Sequence, residues 1–395
     1  MRRIILLAAC CCLAGCAAVD TVNDSFSAIG NFFAGGEDNS DPPHKLIDYA
    51  PEIKVKVLWK ESVGVGNDEQ SIKLVPAVAG ASLFAADREG LVQARNAGNG
   101  ELLWKSKTEK TISSGVSVGE GTVIVGTGDA EVLALSATTG KVLWKTTLSS
   151  EILAVPVVSA GVVIVRATDG TVIGLNEKNG AKLWAYEHSV PALSLRGTGT
   201  PLLLGDTVIT GDDNGKLMAL RLNDGKMLWE TSVVMPKGRS EIERLVDLDV
   251  DPIEVAGTIY IASYRGGIAA VSASDGEVLW RNESISSASG LGNDWRNLYL
   301  SDVDSHVWQL EQRTGAPLWQ QKNLHQRKLT APLVYQSYVV VADFEGYVHW
   351  LSSEDGHELA RLQVSSSPIQ AKPVVVDNVV YIYATDGKLA ALTVH

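Results

Sequence analysis

Read for the alternation of apolar and polar positions, the chain repeats one pattern. In Val123 to Trp144, VIVGTGDAEVLALSATTGKVLW, a short apolar run leads to a polar turn and a second apolar run. A second turn at Thr139-Gly140-Lys141 then leads into Val142-Leu143-Trp144. The same unit runs without gaps from Leu83 to Trp104, Val163 to Trp184, Val208 to Trp229, Ile259 to Trp280, Leu298 to Trp319 and Val339 to Ala360, where alanine takes the tryptophan position. Short β-branched and apolar runs bounded by Gly, Asn and Asp predict strands. Asp169-Gly170, Asn214-Gly215, Glu345-Gly346 and Asp386-Gly387 supply the positive φ that tight hairpins need. The run after that turn is expected to alternate, as in Leu217-Met218-Ala219-Leu220. A further short strand is expected upstream of six units, at Leu74 to Val78, Val116 to Val118, Val155 to Val158, Pro201 to Leu204, Pro332 to Tyr335 and Pro373 to Val376.

A multi-strand repeat of about 40 to 50 residues means a propeller or a solenoid, and four antiparallel strands per unit select the propeller blade. Inner parts begin at Leu83, Val123, Val163, Val208, Ile259, Leu298, Val339 and Val380, which makes eight blades. The last, Val380 to Val394, has no closing strand, whereas Lys54 to Trp59 is a closing strand without a blade. Pairing the two shuts the ring and leaves no inner edge open. The expected fold is therefore all-β, an eight-bladed β-propeller of four-stranded antiparallel blades over 53–395, with the N-terminal strand closing the last blade. Trp59, Trp104, Trp144, Trp184, Trp229, Trp280 and Trp319 then sit at one place in the repeat, as wedges between neighbouring blades. Trp295, Trp308 and Trp350 lie outside the pattern, the last two at strand positions.

The N-terminus has a different pattern. Arg2 and Arg3 precede an apolar run from Ile4 to Leu13, too short to span a bilayer as a helix, so 1–15 reads as an export signal. Leu13-Ala14-Gly15-Cys16 resembles a bacterial lipobox, which implies that Cys16 is lipidated and becomes the first mature residue. Ala17 and Ala18 follow without an aspartate, and by the same resemblance the anchor belongs in the outer membrane, facing the periplasm. Residues 16–52, with Gly35-Gly36 and Pro42-Pro43, read as a lipidated, flexible tether. Within it Val19, Val22, Phe26, Ile29 and Phe33 share one helical face, suited to a membrane-surface helix. The four cysteines are Cys10, Cys11, Cys12 and Cys16, so cleavage leaves no pair for a disulfide.

Charge narrows the function classes. The net charge is −12, and removing Arg2 and Arg3 with the signal takes it to −14. A broad field of that sign disfavours nucleic acid and anionic lipid as partners. Candidate chemistry is sparse: the histidines show no His-x-x-x-His pair, and the glycines fall at turns rather than in phosphate loops. His188, His306, His325, His349 and His357 read as surface or blade residues, and neither a catalytic set nor a cofactor or metal site is expected.

Two resemblances bear on function. Ala134 to Trp144, Ala-x-x-x-x-Thr-Gly-Lys-x-x-Trp, resembles the tryptophan-docking repeat of pyrroloquinoline quinone dehydrogenases, but the cysteine pair that family carries near its cofactor is missing after cleavage. Over nearly the whole chain, the lipobox, short tether, Trp-closed repeats and closing strand resemble the BamB family of outer-membrane assembly lipoproteins. The segments Pro191-Ala192-Leu193-Ser194-Leu195-Arg196-Gly197 and Glu243-Arg244-Leu245-Val246-Asp247-Leu248-Asp249 match that family more specifically. The resemblance implies a non-enzymatic scaffold docking on a periplasmic POTRA domain of BamA, with other assembly-complex subunits as further partners. The open outer edge of each blade separately suggests unfolded outer-membrane proteins as partners, which would add strands to it. The alternatives are a quinone-dependent dehydrogenase and a ligand-binding periplasmic propeller.

Repeat spacing points to the same surface. The extra length after Trp184 and Trp229 falls outside the gapless units, hence in two adjacent connections between blades. Long connections on one rim make a binding patch. Leu193, Leu195 and Arg196 in the first, and Asp247 and Asp249 in the second, are the candidate partner-binding residues.

Overall fold

The computed structural model describes residues 41–68, 70–188, 199–235, 246 and 248–394. The chain divides into two units, Met1–Pro42 and Pro43–His395, and the strands of the described residues lie in the second. No helix occurs among the described residues; the strands form eight four-stranded antiparallel sheets. Blade 1 is Ala77–Ala79, Ser82–Ala86, Leu91–Asn96 and Leu102–Lys107, and the plan recurs around the ring. The first strands of adjacent blades approach one another, which makes them the innermost. Blade 8 is Val374–Val376, Val379–Tyr383 and Lys388–Val394, completed by Val55–Ser62, whose Val55 stands opposite Val394 and Lys60 opposite Ala390.

Several expectations change in detail. The innermost strands are three residues each, shorter than most of the apolar runs suggested, and two that four-stranded blades require but the apolar pattern did not locate are Ile253–Val255 and Leu291–Asn293. The third strand does not alternate in exposure: in Lys216–Arg221 all of Leu217 to Leu220 is buried, because both faces of a blade pack on neighbours. Trp308 and Trp350 lie on strands, whereas Trp295 sits at a turn tip and is 80% exposed. Residues ahead of 53 also bond to the propeller. The His44 amide donates to His325 O at 3.0 Å, and Arg361 donates to Ile47 O at 2.8 Å.

The tryptophans join each blade to the next. A bulge precedes each one in its outermost strand: Gly174 pairs with Trp184 and Leu175 with Lys182, leaving Leu183 unpaired and exposed. The bulge turns the indole toward the following blade and breaks the open outer edge, a device that disfavours edge-to-edge pairing. The Trp104, Trp144 and Trp184 indoles donate to Ala137 O, Glu177 O and Leu222 O of the next blade at 2.8, 2.6 and 2.8 Å. Trp59 donates to Ala97 O at 2.9 Å and so carries the series from blade 8 into blade 1. Each ring lies over the glycine of the turn it bonds, Gly100 under Trp59 and Gly225 under Trp184, for example. The alanine at 360 follows from this arrangement. Its neighbour is blade 8, whose third and outermost strands come from opposite ends of the chain, so there is no turn on which a tryptophan could dock.

Turn glycines have two constraints, backbone conformation and space, and comparing Gly161 in an inner turn of blade 3 with the docking glycine Gly225 separates them. Gly161 (φ +75°) faces open space, so Gly161→Ala should cost only the left-handed backbone penalty, about 1–2 kcal/mol. Gly225 has a similar φ of +68°, but a methyl group there would overlap the Trp184 ring, so Gly225→Ala should cost clearly more in urea unfolding. Equal losses would show that the ring does not depend on the missing side chain.

Candidate functional site

Successive strands of a blade run in opposite directions, so the turns alternate between two rims. The Trp-docking turns occupy one rim, and the connections between blades share the other with the second-to-third-strand turns. On that second rim three connections, 63–76, 187–201 and 233–252, are longer than the other five. The last two are the adjacent pair expected from repeat spacing; the first lies elsewhere in the ring.

Of the candidate partner-binding residues, Leu193, Leu195, Arg196 and Asp247 lie outside the described residues. Asp249 is described, along with the ends of both connections. The Thr200 amide donates to Asp251 Oδ1 at 2.7 Å, so the first connection ends against the second. Gly199 is packed on the Asp249 backbone, its absent side chain leaving the space. The second connection is held to blade 4 at both ends: the Val233 and Val234 amides donate to Gly215 O at 2.9 and 3.0 Å, and the Leu248 amide to Asp212 O at 3.1 Å. Leu248 packs directly over Gly211, another position where only glycine fits. Asp249 is partly buried, its side chain 16% exposed and its Oδ1 3.7 Å from Arg166 Nη2. The buried Asp212 in the adjoining turn accepts the Asn214 and Lys216 amides at 2.9 and 2.7 Å, yet desolvation raises its pKa above the usual carboxylate value.

Beside this junction lies a cavity of about 450 Å³. Asp249 and Val250 line it from the second connection, Ser71 and Lys73 from 63–76, and Tyr264 and Lys328 from other blades. All three long connections therefore lie on the same rim, and two of them line this cavity.

Two side-chain clusters escaped the sequence reading. In blade 7, buried Asp343 accepts from Arg327 Nε at 2.7 Å and faces His349 Nε2 at 3.1 Å, while His349 Nδ1 faces Glu358 at 2.5 Å. His349 is fully buried in the strand Tyr347–Ser352, so it is a blade residue, as expected, but an ionic one. In blade 6, Asp302, Asp304 and His306 each bring one ligand atom within 4.8 Å of the others. Asp302 is already committed to the turn, accepting the Asp304 and His306 amides and the Trp308 indole, and the His306 nitrogens face Asp302 and His325. The cluster has the arrangement of a braced turn. Arg166, the third omission, ends an otherwise apolar strand, VVIVR, and that lone charge was the signal available.

Comparison with known proteins adds the following. A family model described as outer membrane protein assembly factor BamB matches residues 88–321 and 303–395. The outer membrane protein assembly factor BamB of Pseudomonas aeruginosa is 48% identical over 353 residues, covering 89% of this chain and 93% of the relative. The crystal structure of BamB from Moraxella catarrhalis superposes with a TM-score of 0.78 at 28% identity, over 86% of this chain and 100% of that one. Quinohemoprotein alcohol dehydrogenase from Comamonas testosteroni, at 14% identity, covers 86% of this chain and 76% of its own with a TM-score of 0.65, a likeness of fold alone.

Proposed function

The chain belongs to the BamB family of outer membrane protein assembly factors, and from that membership we propose that it is a non-enzymatic scaffold of the outer-membrane β-barrel assembly machinery. In this reading Cys16 carries the lipid, the signal 1–15 is removed, and the propeller stands on the periplasmic side of the outer membrane. Its partner is BamA, met through a periplasmic POTRA domain on the rim where the two long connections join. Leu193 and Leu195 serve as apolar anchors, Arg196 as the adjacent charge, and Asp247 and Asp249 as the acidic side of the patch.

The observation that carries the reading is the meeting of the two connections: Thr200 is bonded to Asp251, and Gly199 is packed on Asp249. Segments brought together at their bases can present one continuous surface, and a surface held in place before binding loses less entropy on association. Leucine anchors beside an arginine suit a protein interface in which a few residues supply most of the affinity.

The triple variant Leu193→Ala, Leu195→Ala, Arg196→Ala should weaken BamA capture by about 1–3 kcal/mol while the far-ultraviolet spectrum and unfolding midpoint stay unchanged. Titration of purified BamA periplasmic domains against immobilised protein measures it. Undiminished binding by the triple variant would refute the assignment.

A further inference from the structure

Arg166 stands where the two connections meet the blades. It ends the second strand of blade 3, Val162–Arg166, after four buried apolar residues, and its own side chain is only 4% exposed. A guanidinium so placed needs counter-charge, because a buried charge without a partner is strongly destabilising. The counter-charge comes from outside its own blade. Arg166 Nη2 donates to Asp213 Oδ1 at 2.8 Å, in the turn of blade 4, and lies 3.7 Å from Asp249 Oδ1 at the end of the 233–252 connection. Gly199, at the end of the 187–201 connection, approaches the other side of the fork: a methyl group there would stand 3.3 Å from Arg166 Nη1 and 3.2 Å from the Asp249 carbonyl carbon. A single side chain of blade 3 thus bonds the turn of blade 4, faces the end of the second connection and borders the space left by the glycine at the end of the first.

We propose that Arg166 is the positioning residue of the docking surface, holding the ends of the two connections in register so that a partner meets them as one preformed face. The inference rests on the reading that these connections bind the partner. Arginine suits the task for a geometric reason: its rigid guanidinium sets Nη2 between the Asp213 and Asp249 carboxylates, 2.8 and 3.7 Å away, and turns Nη1 toward the space over Gly199. A lysine ammonium offers a point charge and cannot hold both carboxylates in fixed directions. Without that tie, the ends of the connections at Thr200 and Asp249 have to be brought into register during binding, and the cost appears as lost affinity. Arg166 itself is buried and touches no partner.

The test uses the purified full-length protein, BamA periplasmic domains as the probe, and the triple variant of Leu193, Leu195 and Arg196 as a reference. Arg166→Met should weaken binding by about 10- to 100-fold, with Arg166→Lys between it and the parent. Asp249→Asn should cost less in the Arg166→Met background than in the parent, since part of its effect passes through the approach to Arg166. Hydrogen exchange gives the readout that general destabilisation would not: protection should fall at the Thr200 and Leu248 amides and stay unchanged in blades 1 and 2. If the triple variant loses binding and Arg166→Met stays within about twofold of the parent, the positioning role is overturned while the docking surface stands. If neither variant changes binding, the docking surface itself is wrong and the inference falls with it. Loss of protection spread evenly over all eight blades would also overturn it, by showing that Arg166→Met acts on global stability.

Discussion

Replacing Trp184 with alanine is expected to lower the stability of the propeller by about 3–5 kcal/mol, the range for removing a large aromatic ring from a packed interior. The ring is 8% exposed and lies between two glycines. Gly174 of its own blade and Gly225 of the next both lie so close that a side chain on either would overlap it. Glycine on each side means that no neighbouring side chain can swing in to fill the space. The indole also donates to Leu222 O at 2.8 Å, so the substitution leaves a buried carbonyl without its donor. Trp184→Phe should recover part of the packing but not the hydrogen bond. Urea unfolding followed by circular dichroism separates the variants, and a loss below about 1 kcal/mol for Trp184→Ala would show that the boundary between blades 3 and 4 is held by other contacts.

The fold was legible because the repeat encodes its own geometry. A Gly turn, a bulged Leu and a Trp recur at fixed offsets, and the offset gives blade count, docking partner and, through Ala360, the place where the ring is closed by the N-terminal strand. The two innermost strands that were missed show the limit of that signal. Leu291-Gly292-Asn293 has no β-branched residue, and Gly292 packs against the Pro332 backbone, so its conformation is set by the neighbouring blade. Ile253–Val255 follows the longest connection, where periodicity is interrupted.

The site was legible in position and not in mechanism. Repeat spacing locates the two connections, but the ties between their ends involve residues far apart in sequence, such as Arg166 with Asp213 and Thr200 with Asp251. Asp249 shows the consequence. In sequence it reads as a surface charge beside Asp247, whereas its carboxylate is directed toward a buried arginine of another blade. A lone charge at the end of an apolar strand carries information in a propeller, where both faces of a strand are covered and a charge has to find its partner across a blade boundary.

The Arg327, Asp343 and His349 cluster leads to the second large effect. Arg327→Met is expected to destabilise the protein by about 3–5 kcal/mol near pH 7, because it strips the cation from a fully buried carboxylate. Burial alone would raise Asp343, but hydrogen bonds to His349 and the Tyr347 amide, and the charge of Arg327, hold it below the usual carboxylate range. Burial alone would lower His349, but Asp343 and Glu358 on its two nitrogens hold it above the usual histidine value. The signs of the pH dependence follow. The contribution of Asp343 is present above its unfolded value of about 3.9 and is lost as pH falls through the depressed folded value. The contribution of His349 is complete below its unfolded value of about 6.5 and is lost as pH rises through the raised folded value. Arg327→Met removes one of the influences lowering Asp343, so its deficit should shrink between pH 7 and pH 4.5. His349→Gln should remove the alkaline loss instead, its unfolding midpoint staying flatter than the parent's above pH 6.5. Parallel curves for parent and His349→Gln over that range would contradict a charged, buried His349. The consequence reaches past stability: Arg327 Nη1 also donates to His44 O at 3.0 Å, where the chain joins the propeller. The same substitution should therefore expose the segment from His44 to Ile53 to proteolysis before the blades unfold, coupling the ionic core of blade 7 to the point at which the chain enters the ring.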